Sequence, residues 1–287
     1  MSDAAATLSL PRAAKPGWAS APLLVGCLLC AIVGVAAIGA DWITPLDPVR
    51  MRMRDALAVP SAAHWFGTDN LGRDVASRVT HGARISLAIG VATMLVTGLA
   101  GTAFGLVAGY VRALDGSLMR VMDALMSFPP VMLAVGITAA IGPSSTNVVI
   151  ALSAVYIPRT SRVVRASVIS TSTLDFVEAA RALGAAPGRI MLRHMLPNCL
   201  GPLTVQLSFV FAFAVLAEAA LSFLGMSTPP PTPTLGSVIA DGRDYIREAP
   251  WICFFPGMTL LLVVLGLNLV GDALRDLLDP RSGISAL

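Results

Sequence analysis

Four cysteines, three histidines and two carboxylates set within apolar runs are the residues of this chain whose types suggest chemistry. Cys27 and Cys30 form a C-x-x-C pair, a spacing used for redox centres and metal ligation. Both lie inside LLVGCLLCAIVGV, with no polar neighbour. A structural metal site takes about four ligands, and His64, His81 and His194 are remote in sequence. The pair therefore reads as small buried hydrophobes. Asp123 and Glu218 fall towards the ends of apolar segments rather than at their centres, where proton relays and ion sites place carboxylates. Glu218 is expected to pair with a loop group, to face water, or to act in transport directly. Lys15 is the only lysine, preceded by Ala14 and followed by Pro16, so no Gly-x-x-x-x-Gly-Lys-[Ser/Thr] phosphate loop is present. Neither H-E-x-x-H nor G-x-S-x-G occurs. The expectation is a non-catalytic chain with no cofactor and no metal, unable to hydrolyse ATP alone.

Such residues have to be positioned by elements that suit their surroundings. Of the 287 residues only 13% are charged and 55% are hydrophobic, against roughly a quarter charged in soluble domains. The apolar residues come in long uncharged blocks, the pattern of an all-α polytopic membrane protein. The net charge of +3 is too small to suggest nucleic acid.

Residues 1–20 read as a cytoplasmic tail. Residues 21–40 carry no charge over twenty positions, a spanning length at 1.5 Å per residue. Ile85 to Val111 is a second block, with Gly101, Gly105 and Gly109 spaced by four for close helix packing in lipid. Leu118 to Ile141 is a third, with Pro129 and Pro130 inside it as a candidate kink or gate. Gly142 to Asn147 reads as a turn. The fourth block, Asn147 to Pro158, is short and runs into Arg159, Arg162 and Arg165, so its helix is expected to continue past the membrane edge. Asn198 to Leu224 and Pro250 to Gly271 complete six spans. The divisions are then a first span at 21–40, an extracytoplasmic segment at 41–83, five helices within 84–272, and a cytoplasmic tail at 273–287.

Basic residues near the helix ends set the orientation. The loop 159–197 collects Arg159, Arg162, Arg165, Arg181, Arg189 and Arg193, so it and both termini are expected inside. Residues 41–84 oppose this rule mildly, with six arginines against five aspartates. Within them Thr68 or Asp69 is expected to cap a helix lying on the outer surface, with Asp74 and Arg78 paired at i, i+4.

The inner loop, about 171–197, has its own grammar. Asp175 could cap a helix whose apolar stripe is Phe176, Ala180 and Leu183. Gly184 suits its end, and Pro187 the start of a second helix. Leu196-Pro197 marks the entry to the fifth span. A short helix with an apolar stripe and charged flanks is a shape that a soluble partner can hold in a groove.

Glu178-Ala179-Ala180, then Gly184, and later Leu196-Pro197 resemble the EAA loop of ATP-binding cassette importer permeases. His194 stands where that pattern commonly has an apolar residue, a departure often seen in the peptide-importer branch. FGTDNLGRDVASRVTHGARISL, EAALSFLGMSTPPPTPTLGSVIADGRDYI, APWICFFPG and LNLVGDALRDLLDPR are similar to the dipeptide/oligopeptide permease C subunits, over roughly residues 20–282. The resemblance implies a type I importer transmembrane domain in a bacterial plasma membrane. It implies a homologous second permease, two cytoplasmic ATPase subunits, an extracytoplasmic solute-binding protein and a peptide substrate, with segments 41–83 and 225–250 as the docking surface for the binding protein. The residues it assigns to ATPase coupling are Glu178, Ala179, Ala180, Arg181, Leu183, Gly184, His194, Leu196 and Pro197. Glutathione or nickel-complex import is the alternative within the family. A stand-alone secondary transporter would call for midplane ionisable residues and paired repeats, neither of which stands out.

Overall fold

In a computed structural model, residues 21–278 are described; the expected tail 1–20 and the last residues of the expected tail 273–287 lie outside them. Eleven helices follow in chain order: α1 (Ala21–Ile38), α2 (Ala40–Ile43), α3 (Val75–Tyr110), α4 (Arg112–Met126), α5 (Pro130–Ile141), α6 (Ser145–Thr171), α7 (Asp175–Ala182), α8 (Pro187–Ile190), α9 (Leu196–Phe223), α10 (Leu235–Gly242) and α11 (Trp251–Leu278). α11 therefore continues past residue 272, where a tail was expected to begin.

Among the described residues four helical stretches are long and apolar enough to cross a bilayer, and a fifth is obtained if the bent pair α4–α5 counts as one span. α6, with 27 residues, is about 40 Å long at helical rise and provides the sixth long unit. Arg159, Arg162 and Arg165 make it the most polar of the six. α6 starts at Ser145, because the Ser144 side chain accepts from Asn147 N at 3.1 Å, so the expected turn at 142–147 is shorter than its sequence suggested.

α3 and α6 form the spine of the bundle. A Cβ on Gly105 would lie 2.6 Å from Val164 Cβ and 2.7 Å from Ser161 O, and one on Gly109 would lie 2.7 Å from Val168 Cβ. Gly101 meets Thr160 in the same way. The three glycines thus let α3 lie against the α6 backbone, which dispersion contacts reward when lipid supplies no hydrophobic drive. Pro129 and Pro130 divide the expected third span, with Pro129 preceding α5 and Pro130 occupying its first turn. The two halves meet at 91°. α4 is stapled to α6 by Arg162 with Asp123, and by Arg165 with Asp115, whose two N–H···O contacts are 2.5 and 2.6 Å.

Three sequence expectations need correction here. No separate surface helix precedes the second span: α3 begins at Val75 and runs unbroken for 36 residues. Its cap is Asp74, which accepts from Ser77 N at 2.8 Å. Thr68 and Asp69 are held instead in a turn closed by the Thr68–Asp74 bridge and by Gly72 at φ +68°. Nor does Asp74 pair with Arg78; its other partner is His64 Nδ1 at 2.9 Å. Lastly, Cys27 is exposed rather than buried, and both it and Cys30 are free thiols.

Two ends of the bundle differ in kind. At one, α7 and α8 form a helical hairpin between α6 and α9. At the other, residues 44–74 and 224–250 fold over the helix termini as a cap.

Candidate functional site

The hairpin end is built around a small plug. Val177 of α7 and Ile190 of α8 are fully buried in one cluster with Leu106, Val164, Val168, Met195 and Cys199. α3, α6 and α9 therefore all touch the hairpin. Leu174, not Asp175, precedes the first turn of α7, and no side chain caps it; Asp175 sits in that first turn, where a carboxylate favours the positive end of the helix dipole. The stripe of Phe176, Ala180 and Leu183 faces away from the bundle, where a soluble partner would reach it. Val177 is the buried side, while Phe176 is exposed and Leu183 is 88% exposed.

α7 ends as its sequence suggested. Gly184 has φ +75°, Gly184 N donates to Arg181 O at 3.0 Å and Ala185 N to Ala180 O at 3.1 Å. This pairing satisfies the last carbonyls of the helix. A left-handed residue of this kind costs a β-carbon-bearing side chain roughly 1–2 kcal/mol, which is why glycine stands there. Glu178, Ala179 and Arg181 are exposed along α7. Arg181 also lies over the Tyr110 ring, 5.9 Å from its centroid, tying the hairpin to the foot of α3.

Leu196 and Pro197 open α9, but no break sets it off from α8, because α8 to α9 is one continuous rod, Pro187–Phe223. Met191–Met195 widens into a π turn, closed by Leu196 N on Met191 O. Pro197 supplies the reason: it has no N–H to give the carbonyl of residue 193, and its ring would crowd that carbonyl. His194 faces Phe176 at a ring separation of 6.2 Å, so it props the rim of the hairpin.

The cap end carries an ionic network that was not foreseen from the sequence. Arg78, 3% exposed, donates to Asp69 Oδ2 at 2.5 Å and to Asp241 Oδ2 at 2.9 Å. Arg73 reaches the same two carboxylates at 2.6 and 2.9 Å. Trp251 Nε1 donates to Thr68 O at 3.1 Å. The two cap segments are thereby joined to each other and to α3 and α11. The near-balance of arginines and aspartates in residues 41–84 was the available signal.

Glu218 lies under this cap and is fully buried. Its carboxyl accepts from Ser86 Oγ at 2.6 Å and Ser227 Oγ at 2.9 Å. Ser227 belongs to the cap, so Glu218 pairs with a loop group. No basic side chain among the described residues reaches it, and no cluster of metal-ligating groups occurs among them.

The described residues thus form a bundle of apolar helices with a docked hairpin at one end and a folded cap at the other. Residues 101–283 match the family described as binding-protein-dependent transport system inner membrane component. The chain belongs to this family and is a multi-pass membrane protein. A protein of Brucella suis biovar 1, whose name assigns it to a peptide transport system as a permease protein, is 51% identical over 257 residues, covering 90% of this chain and 87% of its own. The dipeptide transport system permease protein DppC of Alkalihalophilus pseudofirmus is 42% identical, with 90% and 85% covered. The di/tripeptide transport system permease protein DppC of Pseudomonas aeruginosa is 43% identical, with 90% and 88% covered. The fold is similar to an inward-facing structure of the MetNI methionine ABC transporter, with a TM-score of 0.57 at 19% identity over 70% of this chain and 95% of that one.

Proposed function

We propose that this chain forms half of the membrane pathway of an ATP-driven peptide importer and draws its energy from a separate ATPase gripped through α7. The carrying observation is Leu183. It is a large apolar side chain, 88% exposed, at the end of a short helix whose other face is plugged into three long helices. Such a knob suits a cleft on a soluble partner, and the chain has no phosphate loop of its own. Peptide as the substrate class is supported by the names of the relatives. In this reading the hairpin and both termini are cytoplasmic, and the cap faces outward towards a solute-binding protein. A second, homologous permease completes the pathway, with two ATPase subunits below, in a bacterial plasma membrane.

ATP-driven closure of the ATPase pair would push α7, and the plug of Val177 and Ile190 would pass the push to α3, α6 and α9. The bend at Pro129 and Pro130 gives the α4–α5 unit a place to yield. Replacing Leu183 with arginine tests the reading, since so exposed a side chain contributes little to folding. ATP-dependent dipeptide uptake into proteoliposomes holding the whole transporter should fall by about 30-fold, the effect of losing an interface residue worth about 2 kcal/mol. Unchanged uptake by a normally inserted variant would overturn the coupling role.

A further inference from the structure

The half of the bundle nearer the cap has a groove between α1 and α3, floored by Phe211, Val263 and Leu267, with a volume of about 580 Å³. Small residues make it: Gly34 and Ala37 on α1, Ala88 and Ala92 on α3. A Cβ added to Gly34 would meet no atom within 4 Å. The volume falls in the range of small-molecule sites, yet the walls are apolar except at one end.

That end is Arg84. On α3 the groove runs from Arg84 to Leu95, about 16 Å at helical rise, close to half of the roughly 30 Å hydrocarbon core. It is one leaflet deep. Arg84 Nε donates to Ala37 O at 2.8 Å, and its Nη2 to Ile38 O and to Asp41 Oδ2, both at 2.9 Å. These bonds fix the guanidinium at the height where the apolar run of α1 stops. Its Nη1 has no partner among the described residues, and the side chain is 38% exposed. Asp41, beside it, is more exposed still. The rim thus presents a guanidinium with a free Nη1 beside a carboxylate that also meets His81 Nε2 at 3.1 Å, above an apolar slot.

The slot is ionic at one end and apolar over the depth of one leaflet, the polarity of a lipid rather than of a helix. A single hydrocarbon chain is slender enough. We propose that the groove holds one acyl chain of a zwitterionic phospholipid of the ethanolamine type from the leaflet at the cap end, its phosphate on Arg84 Nη1 and its ammonium on Asp41. The neighbouring carboxylate disfavours a purely anionic headgroup by like-charge repulsion. Filling the slot wedges α1 against α3 where their own side chains leave a gap.

The test uses the full-length chain assembled with its partner subunits in nanodiscs of equal parts phosphatidylethanolamine and phosphatidylglycerol. The protein is then washed in detergent, and retained lipid is counted by mass spectrometry. The wild type should retain about one phosphatidylethanolamine per chain. Gly34→Leu fills open space without a clash, so it should fold normally and lower retention about tenfold. Asp41→Asn should keep a lipid but lose the preference for ethanolamine. Equal retention in the wild type and Gly34→Leu would overturn the site, and an unchanged preference in Asp41→Asn would overturn the headgroup assignment. A photo-crosslinker at Ala92 should yield a lipid adduct; an adduct to another polypeptide would mean that a protein covers the groove and would equally overturn the proposal.

Discussion

Gly184 separates two ways in which a single residue can matter. An added Cβ there would meet nothing within 4 Å, so a substitution is not excluded by contact. The demand comes from φ +75° alone. Gly184→Ala should therefore loosen the end of α7 by roughly 1–2 kcal/mol, while Gly184→Asn, which tolerates the left-handed region, should lose much less. Uptake measured on both variants would check this, and equal losses would point to the side chain rather than the backbone. Asp41 makes a second prediction at this scale. Hydrogen bonds from Arg84 and then His81 hold its carboxyl below the usual carboxylate range. A depressed carboxylate stabilises the fold above its unfolded pKa, and that contribution fades as pH falls through the folded value. The Asp41–Arg84 ion pair should thus persist through neutral and mildly acidic pH and weaken only in strong acid. Distance measurements between labels on residues 43 and 85 would follow the contact it supports, and loosening near neutral pH would contradict this assignment.

Among the elements, the α3–α6 pair is the most exacting. Gly105→Leu would force a side chain into Val164 Cβ and Ser161 O, and overpacking of this kind costs about 1–3 kcal/mol or more. Trimming the neighbour with Val164→Ala should rescue it only in part, because the carbonyl of Ser161 cannot retreat. Thermal melting of the detergent-solubilised variants would show this, and full rescue would mean that only the side chain blocked the approach. These elements were largely legible in the sequence, for a physical reason. Uncharged runs, glycines four apart and the Pro129-Pro130 pair are local signals, and local signals determine where helices form, pack closely and break. The end of α7 at Gly184 was legible in the same way. The burial of Val177 was not, because Val177 and Phe176 are both apolar and only the packed neighbours decide which is buried. The π turn before Leu196 was concealed as well: Leu-Pro reads as a boundary, but a widened helical turn accommodates proline without ending the helix. The cap network was the least accessible, since Arg73 and Asp241 are 168 residues apart and charge patterning carries no address over such a distance.

For the molecule as a whole, α3 links the cap and the hairpin at opposite ends of the bundle. Asp69 is fully buried and serves both Arg73 and Arg78. Asp69→Ala would leave Arg78 buried with only the partly exposed Asp241 for charge balance, a loss on the order of 3–5 kcal/mol. Proteolysis within residues 44–74 should rise in that variant while the membrane helices stay intact, and unchanged protection would show that Trp251 and the backbone turns hold the cap unaided. α3 passes from this network to Tyr110 beneath Arg181 without a break. Its 36 residues reach about 54 Å, farther than the bilayer is thick. A rod of that length is a lever arm: a tilt of about 5° at its foot sweeps its head through about 5 Å at this reach. A small stroke beneath the membrane then becomes a displacement above it large enough to open or shut a passage, without any helix having to bend.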